Sequence, residues 1–409
     1  MTSTASGARV PLPNPYTPGQ VPRFLAGRRE ELGRIRDQVG RVATYGETGG
    51  PLLVFHAPRG LGKTSLLRAA QRETAELGVV SVWVSCVRGT PVLPELVAGV
   101  ARSLERAEVT AGATSGAEGT RWRARLDRIG VELGVVGLAG VRVSADLRDD
   151  EPQDPSPTAP VTALEDLLHD AATLVRRRGG AGLLVLVDEL HAAQRGELSL
   201  LLNALQNLDG QREDNPLAVV TAGLPVTPEA ITRAATFGER SAFVALDLLA
   251  DADARAAVTG PADALGVSWT VPALDAVVAE SGGYPYFLQL LGSAAWAAAA
   301  PAAGERIGLA DVRAGVPAAQ GQITAMYRAR WGSATPGEQA FLAAMAASVP
   351  DEGNVSRAQI AAALGQDSRA ISVPRERLID KGVIEPVGHG LVRFTLPGFA
   401  AFVRRRGEP

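Results

Sequence analysis

The segment HAPRGLGKTSLL, His56 to Leu67, sets glycines, a lysine and a threonine at nearly the spacing of a phosphate-binding loop. That pattern is Gly, four residues, Gly, Lys, then Ser or Thr. Ala57 stands where the first glycine belongs, and Gly60, Leu61, Gly62, Lys63 and Thr64 follow in register. A phosphate cradle is built from successive backbone N–H groups at a helix N-terminus, reinforced by the helix dipole. Those donors come from the second half of the loop, where Gly60 and Gly62 permit an approach that a side chain would block. Lys63 adds a point charge for the outer phosphates, and Thr64 offers a hydroxyl to a magnesium ion. Ala57 lies where strand gives way to loop, away from the phosphates, and is tolerated if its φ is negative. The candidate nucleotide-binding set is therefore Pro58, Arg59, Gly60, Leu61, Gly62, Lys63, Thr64 and Ser65.

A second constellation is the acidic pair Asp188–Glu189, which ends the apolar run GLLVLV. A carboxylate at the end of a buried strand can hold magnesium through water. Its neighbour can orient and deprotonate an attacking water. Two acids closing such a run are costly without a cation or partner. Asp188 and Thr64 are thus the candidate magnesium residues, and Glu189 the candidate general base. Only two of the 41 basic residues are lysines, Lys63 and Lys381. One of them falls where a compact ammonium is wanted and a forked guanidinium fits badly.

These groups need elements to carry them. PLLVF reads as a strand ahead of the loop and TSLLRAAQRETAEL as an amphipathic helix after it. Further strands are expected at VVSVWVS, GLLVLV, LAVVTAG and AFVALDL. Helical patterns lie between them, so the expected core is α/β, a parallel sheet with helices on both faces. In VTALEDLLHDAATLVRRR the residues Leu164, Leu167, Leu168, Leu174 and Val175 form one stripe. Residues 121–160 break the pattern and read as an insertion ending in an acidic, Pro-rich linker. Residues 1–22 are polar and Pro-rich, expected as a flexible tail with no signal peptide. The domains expected are the core at 23–249, a helical lid at 250–333 in which the strands stop, and a C-terminal module at 334–409. The uncharged stretch Ser281–Gly304 is too Ala-rich and Pro-broken for a membrane span and reads as a buried helix.

At 409 residues the chain exceeds one core, and its net charge of −3 argues against a polyanion-coating protein overall. Cys86 is the single cysteine, expected as a buried small hydrophobe in a reducing cytoplasm. His56 is expected at the end of the first strand, His169 on a helix and His389 in a turn of the C-terminal hairpin. His191, two residues past Glu189, could approach that site, but a solvent-facing loop role is the expectation.

APRGLGKT together with LLVLVDE resembles the AAA+ and STAND branch of P-loop ATPases. That branch implies ATP or ADP with magnesium as cofactors, and an extra strand between the two motif strands; the second strand is expected to fill that slot. RFLAGRREEL resembles the box that passes over the adenine, which adds Arg23 and Phe24 to the nucleotide set. Thr221 in AVVTAGLP matches the polar sensor of the fourth strand. Arg240 in FGER matches an arginine that reaches a neighbouring subunit's γ-phosphate, with Arg233 as the fallback, and implies an ATP-dependent homo-oligomer. Origin-recognition initiators carry a lid arginine where this chain has SGGYPYFLQLLG. Gly283-Tyr284-Pro285 is similar instead to the GxP motif of STAND ATPases, so Pro285 is expected to close over the base. The missing arginine leans toward a slow switch and away from a fast motor.

From Thr335 the chain reads as three helices and a hairpin, the plan of a winged helix. Thr335 caps the first helix with Pro336 at its first position, Gly365 ends the second, and DSRAISVPRERLIDKG is the third. Between Val355 and Arg406 nine basic residues face four acidic ones. Arg369, Arg375 and Arg377 on the third helix and Arg393 on the wing are available to DNA. Docking on the ATPase or on a protein partner is the competing role. Two classes of function stay open: an ATP-hydrolysing switch acting on DNA, and a nucleotide-locked scaffold with negligible hydrolysis.

Overall fold

A computed structural model describes residues 10–110, 159–348, 353–388 and 390–407. His389 and all but the last two positions of the expected 121–160 insertion lie outside them. The chain forms two compact units. One comprises Arg29–His56 and Leu66–Ala245; the other comprises Met1–Arg28, Ala57–Ser65 and Leu246–Pro409.

The first unit holds a parallel five-stranded sheet: β1 (Leu53–His56), β2 (Val79–Ser85), β3 (Gly182–Asp188), β4 (Leu217–Gly223) and β5 (Ala242–Ala245). Their order is β2-β3-β4-β1-β5. The slot between the two motif strands β1 and β3 is therefore filled by β4, and the expectation that the second strand fills it is corrected. The reason is visible in the side chains. Every residue of β4 is buried, which suits a central strand, whereas β2 alternates and leaves Ser81, Trp83 and Ser85 partly or fully open, as an edge strand can. Covering helices include α1 (Arg29–Tyr45), α2 (Lys63–Ala75), whose first residues belong to the other unit, α3 (Val92–Thr110), α4 (Ala159–Arg177) and α5 (Arg195–Gly210). The stripe of α4 is buried as expected, packed with Val97, Val185, Val187, Leu201 and Leu202. Each such side chain contributes about 1.5–3 kcal/mol. Ala159 and Pro160 open this helix rather than ending an insertion. Cys86 is buried in the same cluster, and burial first, then the carboxylates of Glu197, Asp188 and Glu189, push its thiol up to about 12.

The second unit contains α6 (Asp251–Asp263), α7 (Val271–Ser281), α8 (Pro285–Ala299) and α9 (Leu309–Gly332). Strands do not stop at Leu249: Ser268–Trp269 and Arg306–Ile307 pair in parallel. The Ala-rich α8 buries Phe287, Leu288, Leu291 and Trp296, and no helix of the described residues is long and apolar enough to cross a membrane. The expected flexible tail is also corrected from residue 10 onward. Tyr16 is 3 % exposed, donates to Val258 O at 2.5 Å, accepts from Trp269 Nε1 at 2.9 Å and meets Trp296 edge-on. One aromatic anchor outweighs a polar, Pro-rich neighbourhood.

The C-terminal elements are α10 (Pro336–Ala347), β6 (Val355–Ser356), α11 (Arg357–Leu364), α12 (Ser372–Asp380), β7 (Ile384–Pro386), β8 (Leu391–Phe394) and α13 (Phe399–Gly407). Thr335 and Glu338 form a capping box with Pro336 at the first position, and Gly365 closes α11 with φ +62°. The third helix begins later than expected, so Arg369 lies in a turn ahead of it. The hairpin gains a third strand, β6, in the order β6-β8-β7.

Candidate functional site

The loop glycines adopt left-handed backbone, Gly60 at φ +85° and Gly62 at φ +86°, where any other residue is strained. Ala57 keeps a negative φ, which is why the lost glycine is tolerated. Lys63 is 5 % exposed and donates from Nζ to Ala57 O at 2.8 Å and Pro58 O at 2.9 Å. Thr64 follows at the start of α2.

Two side chains from elsewhere in the same unit also hold this loop. The Tyr284 hydroxyl donates to Arg59 O, and Arg28 Nη2 donates to Leu61 O at 3.2 Å. Tyr284 is 1 % exposed, directly ahead of Pro285 at the start of α8. Arg28, itself at φ +66°, also donates to Asp247 O at 2.5 Å. Sequence reasoning missed Arg28, which sits four residues beyond Phe24 in the same box. Arg23 and Phe24 are exposed, and the Phe24 ring lies against Gly260, where an added Cβ would come within 2.7 Å of it.

In the sheet unit, Asp188 is 4 % exposed at the last position of β3, and its Oδ1 accepts from Glu189 N at 2.9 Å. Glu189 is left-handed, φ 56° and ψ 36°, at a cost of about 1–2 kcal/mol for a non-glycine residue. His191 is corrected from its solvent-facing expectation. Its side chain is 6 % exposed, Nδ1 accepts from Leu224 N at 3.3 Å, and Nε2 lies 3.5 Å from Glu189 Oε2. Because Nδ1 accepts, the ring carries its proton on Nε2, toward the carboxylate. The short turn after β3 folds the ring back under the β4 end, which spacing alone does not reveal. Thr221 is fully buried, and its hydroxyl donates to Leu53 O at 3.4 Å. Because the sheet is parallel, Asp188, Glu189 and the end of β1 share one edge, and β1 runs on by chain continuity into the loop.

Arg240 ends a 3₁₀ turn, exposed, its guanidinium 5.8 Å from the Phe237 ring. Arg233 is exposed and paired to Glu229 at 2.6 Å. His169 pairs with Asn215 at 2.8 Å, and His56 closes β1. In the C-terminal module Arg369 and Arg377 are exposed and Arg375 half-buried. Arg393 is not available in the way expected. It lies opposite Glu385 in the hairpin register, donates to that carboxylate at 2.5 Å and reaches Asp247 at 3.4 Å.

A buried ammonium on loop carbonyls, left-handed glycines and a helix start form a donor set that fits a nucleoside triphosphate. The buried Asp188 carboxylate suits a hard cation such as magnesium.

A family profile described as an AAA ATPase domain matches residues 25–220, and one described as a domain of unknown function matches residues 324–403. No curated protein sequence matches the chain. Among solved structures, a Walker-type ATPase of Pyrococcus abyssi aligns with TM-score 0.58 and 14 % identity over 93 % of this chain and 96 % of that one. Cdc6p from Pyrobaculum aerophilum aligns with TM-score 0.46 and 12 % identity over 98 % and 100 %. A RuvB variant of Thermotoga maritima aligns with TM-score 0.45 and 14 % identity over 90 % and 92 %. At such identity the Pyrococcus likeness speaks to fold alone. It agrees with the strand order and with the phosphate loop leading into α2. Residues 25–220 match an AAA ATPase domain, and the fold that carries them is that of a P-loop ATPase.

Proposed function

We propose that this chain is a slow ATP-hydrolysing switch of the STAND type, whose C-terminal winged helix passes the nucleotide state to DNA. The observation that carries the reading is the loop itself: its lysine is buried in place and its glycines hold the backbone that phosphate requires. ATP with magnesium supplies a transferable phosphoryl group whose charge the metal neutralises. Thr64 and Asp188 are the residues that would hold the metal. Lys63 attracts the outer phosphates. Glu189, set at a strand end, takes a proton from water. His191 steadies that carboxylate from the β4 side. Arg240 serves a neighbouring copy, which makes the active form an oligomer. Pro285 closes over the base, and the absence of an arginine from SGGYPYFLQLLG supports slow turnover.

The experiment is ATP turnover by the full chain with and without duplex DNA. Turnover that rises with DNA and falls with added salt supports the reading. A rate unmoved by DNA at any salt concentration removes the DNA arm.

One observation favours a second reading. Arg393 is committed to Glu385 and Asp247, and Arg330 donates to Gly382 O at 2.5 Å and Thr395 Oγ1 at 3.0 Å. These bonds tie the C-terminal module to the lid helix α9 and to the segment before the lid, within one unit. In that reading the winged helix is a protein-docking regulator and hydrolysis is negligible. Arg393→Ala would then raise turnover without any DNA.

A further inference from the structure

A phosphate loop works only if its amides face inward, and an amide's direction is fixed by the carbonyl across the same peptide. In a trans peptide, C=O and N–H point to opposite sides. No described peptide here is cis. Holding the carbonyl of one residue on one side therefore aims the next residue's N–H to the other. The Arg59 carbonyl belongs to the peptide that carries the Gly60 N–H, and the Leu61 carbonyl to the one that carries the Gly62 N–H.

We infer that Tyr284 and Arg28 are positioning residues for the phosphates of the bound nucleotide: the Tyr284 hydroxyl holds the Arg59 carbonyl and so aims the Gly60 amide, and Arg28 holds the Leu61 carbonyl and so aims the Gly62 amide. The inference rests on the reading that this loop binds a nucleoside triphosphate.

Lys63 cannot do this work alone. It holds the carbonyls of Ala57 and Pro58. It is also the group that an arriving anion draws away from them. Tyr284 is neutral, since burial pushes its hydroxyl up to about 12, so phosphate does not compete for it. Its ring is fixed independently, meeting Phe287 in a T-shaped contact with centroids 4.8 Å apart. The fit is close enough that a Cβ added at Gly60 would lie 2.1 Å from the Tyr284 hydroxyl oxygen. Gly60 is thus required twice, by its φ and by the room Tyr284 takes. Arg28 spans from the loop to the Asp247 carbonyl, just ahead of the lid. The amides that receive phosphate are thus aimed by one side chain ahead of the loop, Arg28, and one from the start of α8, Tyr284.

The test uses the full chain as wild type, Tyr284→Phe and Arg28→Met. Affinities for a fluorescent ATP, for ADP and for adenosine are measured, with unfolding temperature recorded without ligand. Phenylalanine keeps the ring and removes only the hydroxyl. Tyr284→Phe is expected to weaken ATP and ADP by about tenfold, or about 1.4 kcal/mol, and to leave adenosine unchanged. A merely structural role would weaken all three ligands together, and that result overturns the inference, as does unchanged affinity for ATP. If Tyr284→Phe does not fold, Arg28→Met carries the same comparison through the Gly62 amide. Wild-type protein that binds ATP no better than Lys63→Ala would overturn the nucleotide reading itself, and is recognised by that control.

Discussion

Removing Lys381 isolates a buried carboxylate, and the consequence can be worked through. Glu338 is 1 % exposed; its carboxylate accepts from Lys381 Nζ at 2.6 Å and from Thr335 N at 2.8 Å, and its own backbone N–H donates to Thr335 Oγ1 at 3.4 Å to close the capping box. In Lys381→Met the carboxylate keeps the Thr335 amide and loses its cation. Breaking one side of a buried ion pair costs about 3–5 kcal/mol, against about 0–1 kcal/mol for a surface pair. The Lys381 side chain is 34 % exposed, so the low end applies, roughly 3 kcal/mol. Unfolding of a multi-module chain need not be two-state, so the readout is hydrogen exchange at buried α10 amides such as Phe341 and Leu342. The double change Glu338→Gln with Lys381→Met should recover much of the protection, because no charge is left buried. The same pair sets a pH dependence. Burial by itself raises the Glu338 carboxyl, but Lys381 and the Thr335 N–H outweigh it and hold it below the usual carboxylate range. A depressed folded value means the stabilisation is complete above the unfolded value, about 4.3, and is lost as pH falls through the folded one. Protection in Lys381→Met within a few tenths of a kcal/mol of wild type would refute the argument, showing that solvent screens Glu338 despite its burial.

Lys63→Ala should abolish ATP binding in an equilibrium titration, whereas Ala57→Gly should change it by less than about tenfold, or 1.4 kcal/mol; tight binding by the lysine variant would sink the site. Glu189→Gln should keep ATP and magnesium bound while losing turnover, since the amide keeps the shape and takes no proton; equal turnover would point to a scaffold. Arg240→Ala should remove any rise of specific activity with protein concentration, by on the order of 10³-fold in rate, with ATP affinity intact. Mixing it with Lys63→Ala should restore some activity, and no recovery in mixtures shown by light scattering to co-assemble would mean that Arg240 does not act between copies.

Local patterns carried most of what could be read from the sequence. The five strands, the α4 stripe, the Thr335–Pro336 start and the Gly365 stop each depend on residues within a turn or two of one another. Those physical rules act at short range. The rest depends on partners far along the chain. Tyr16 finds Val258, Arg28 finds Leu61 and Asp247, and Tyr284 finds Arg59. Nothing in the neighbourhood of Tyr16 or Tyr284 announces those bonds. Strand order was misread for a related reason: sequence order makes β2 the neighbour of β1, while burial on both faces and both edges selects β4. Arg393 was misread because charge counting treats each arginine as solvated, and the hairpin register sets Glu385 opposite it.

The scarcity of lysine acquires a chemical meaning once both are placed. Side-chain amines occur at two positions only, one 5 % exposed in the loop and the other bonded to Glu338. An acylating reagent therefore meets a surface almost devoid of its target. Lys381 should react first and report the integrity of the C-terminal module, because acylation strips Glu338 of its cation. Lys63 should react only when the loop opens, and a bound triphosphate should shield it further. Measuring acylation of Lys63 and of Lys381 by peptide mass, with and without nucleotide, would follow the binding loop and the C-terminal module separately in one unlabelled protein.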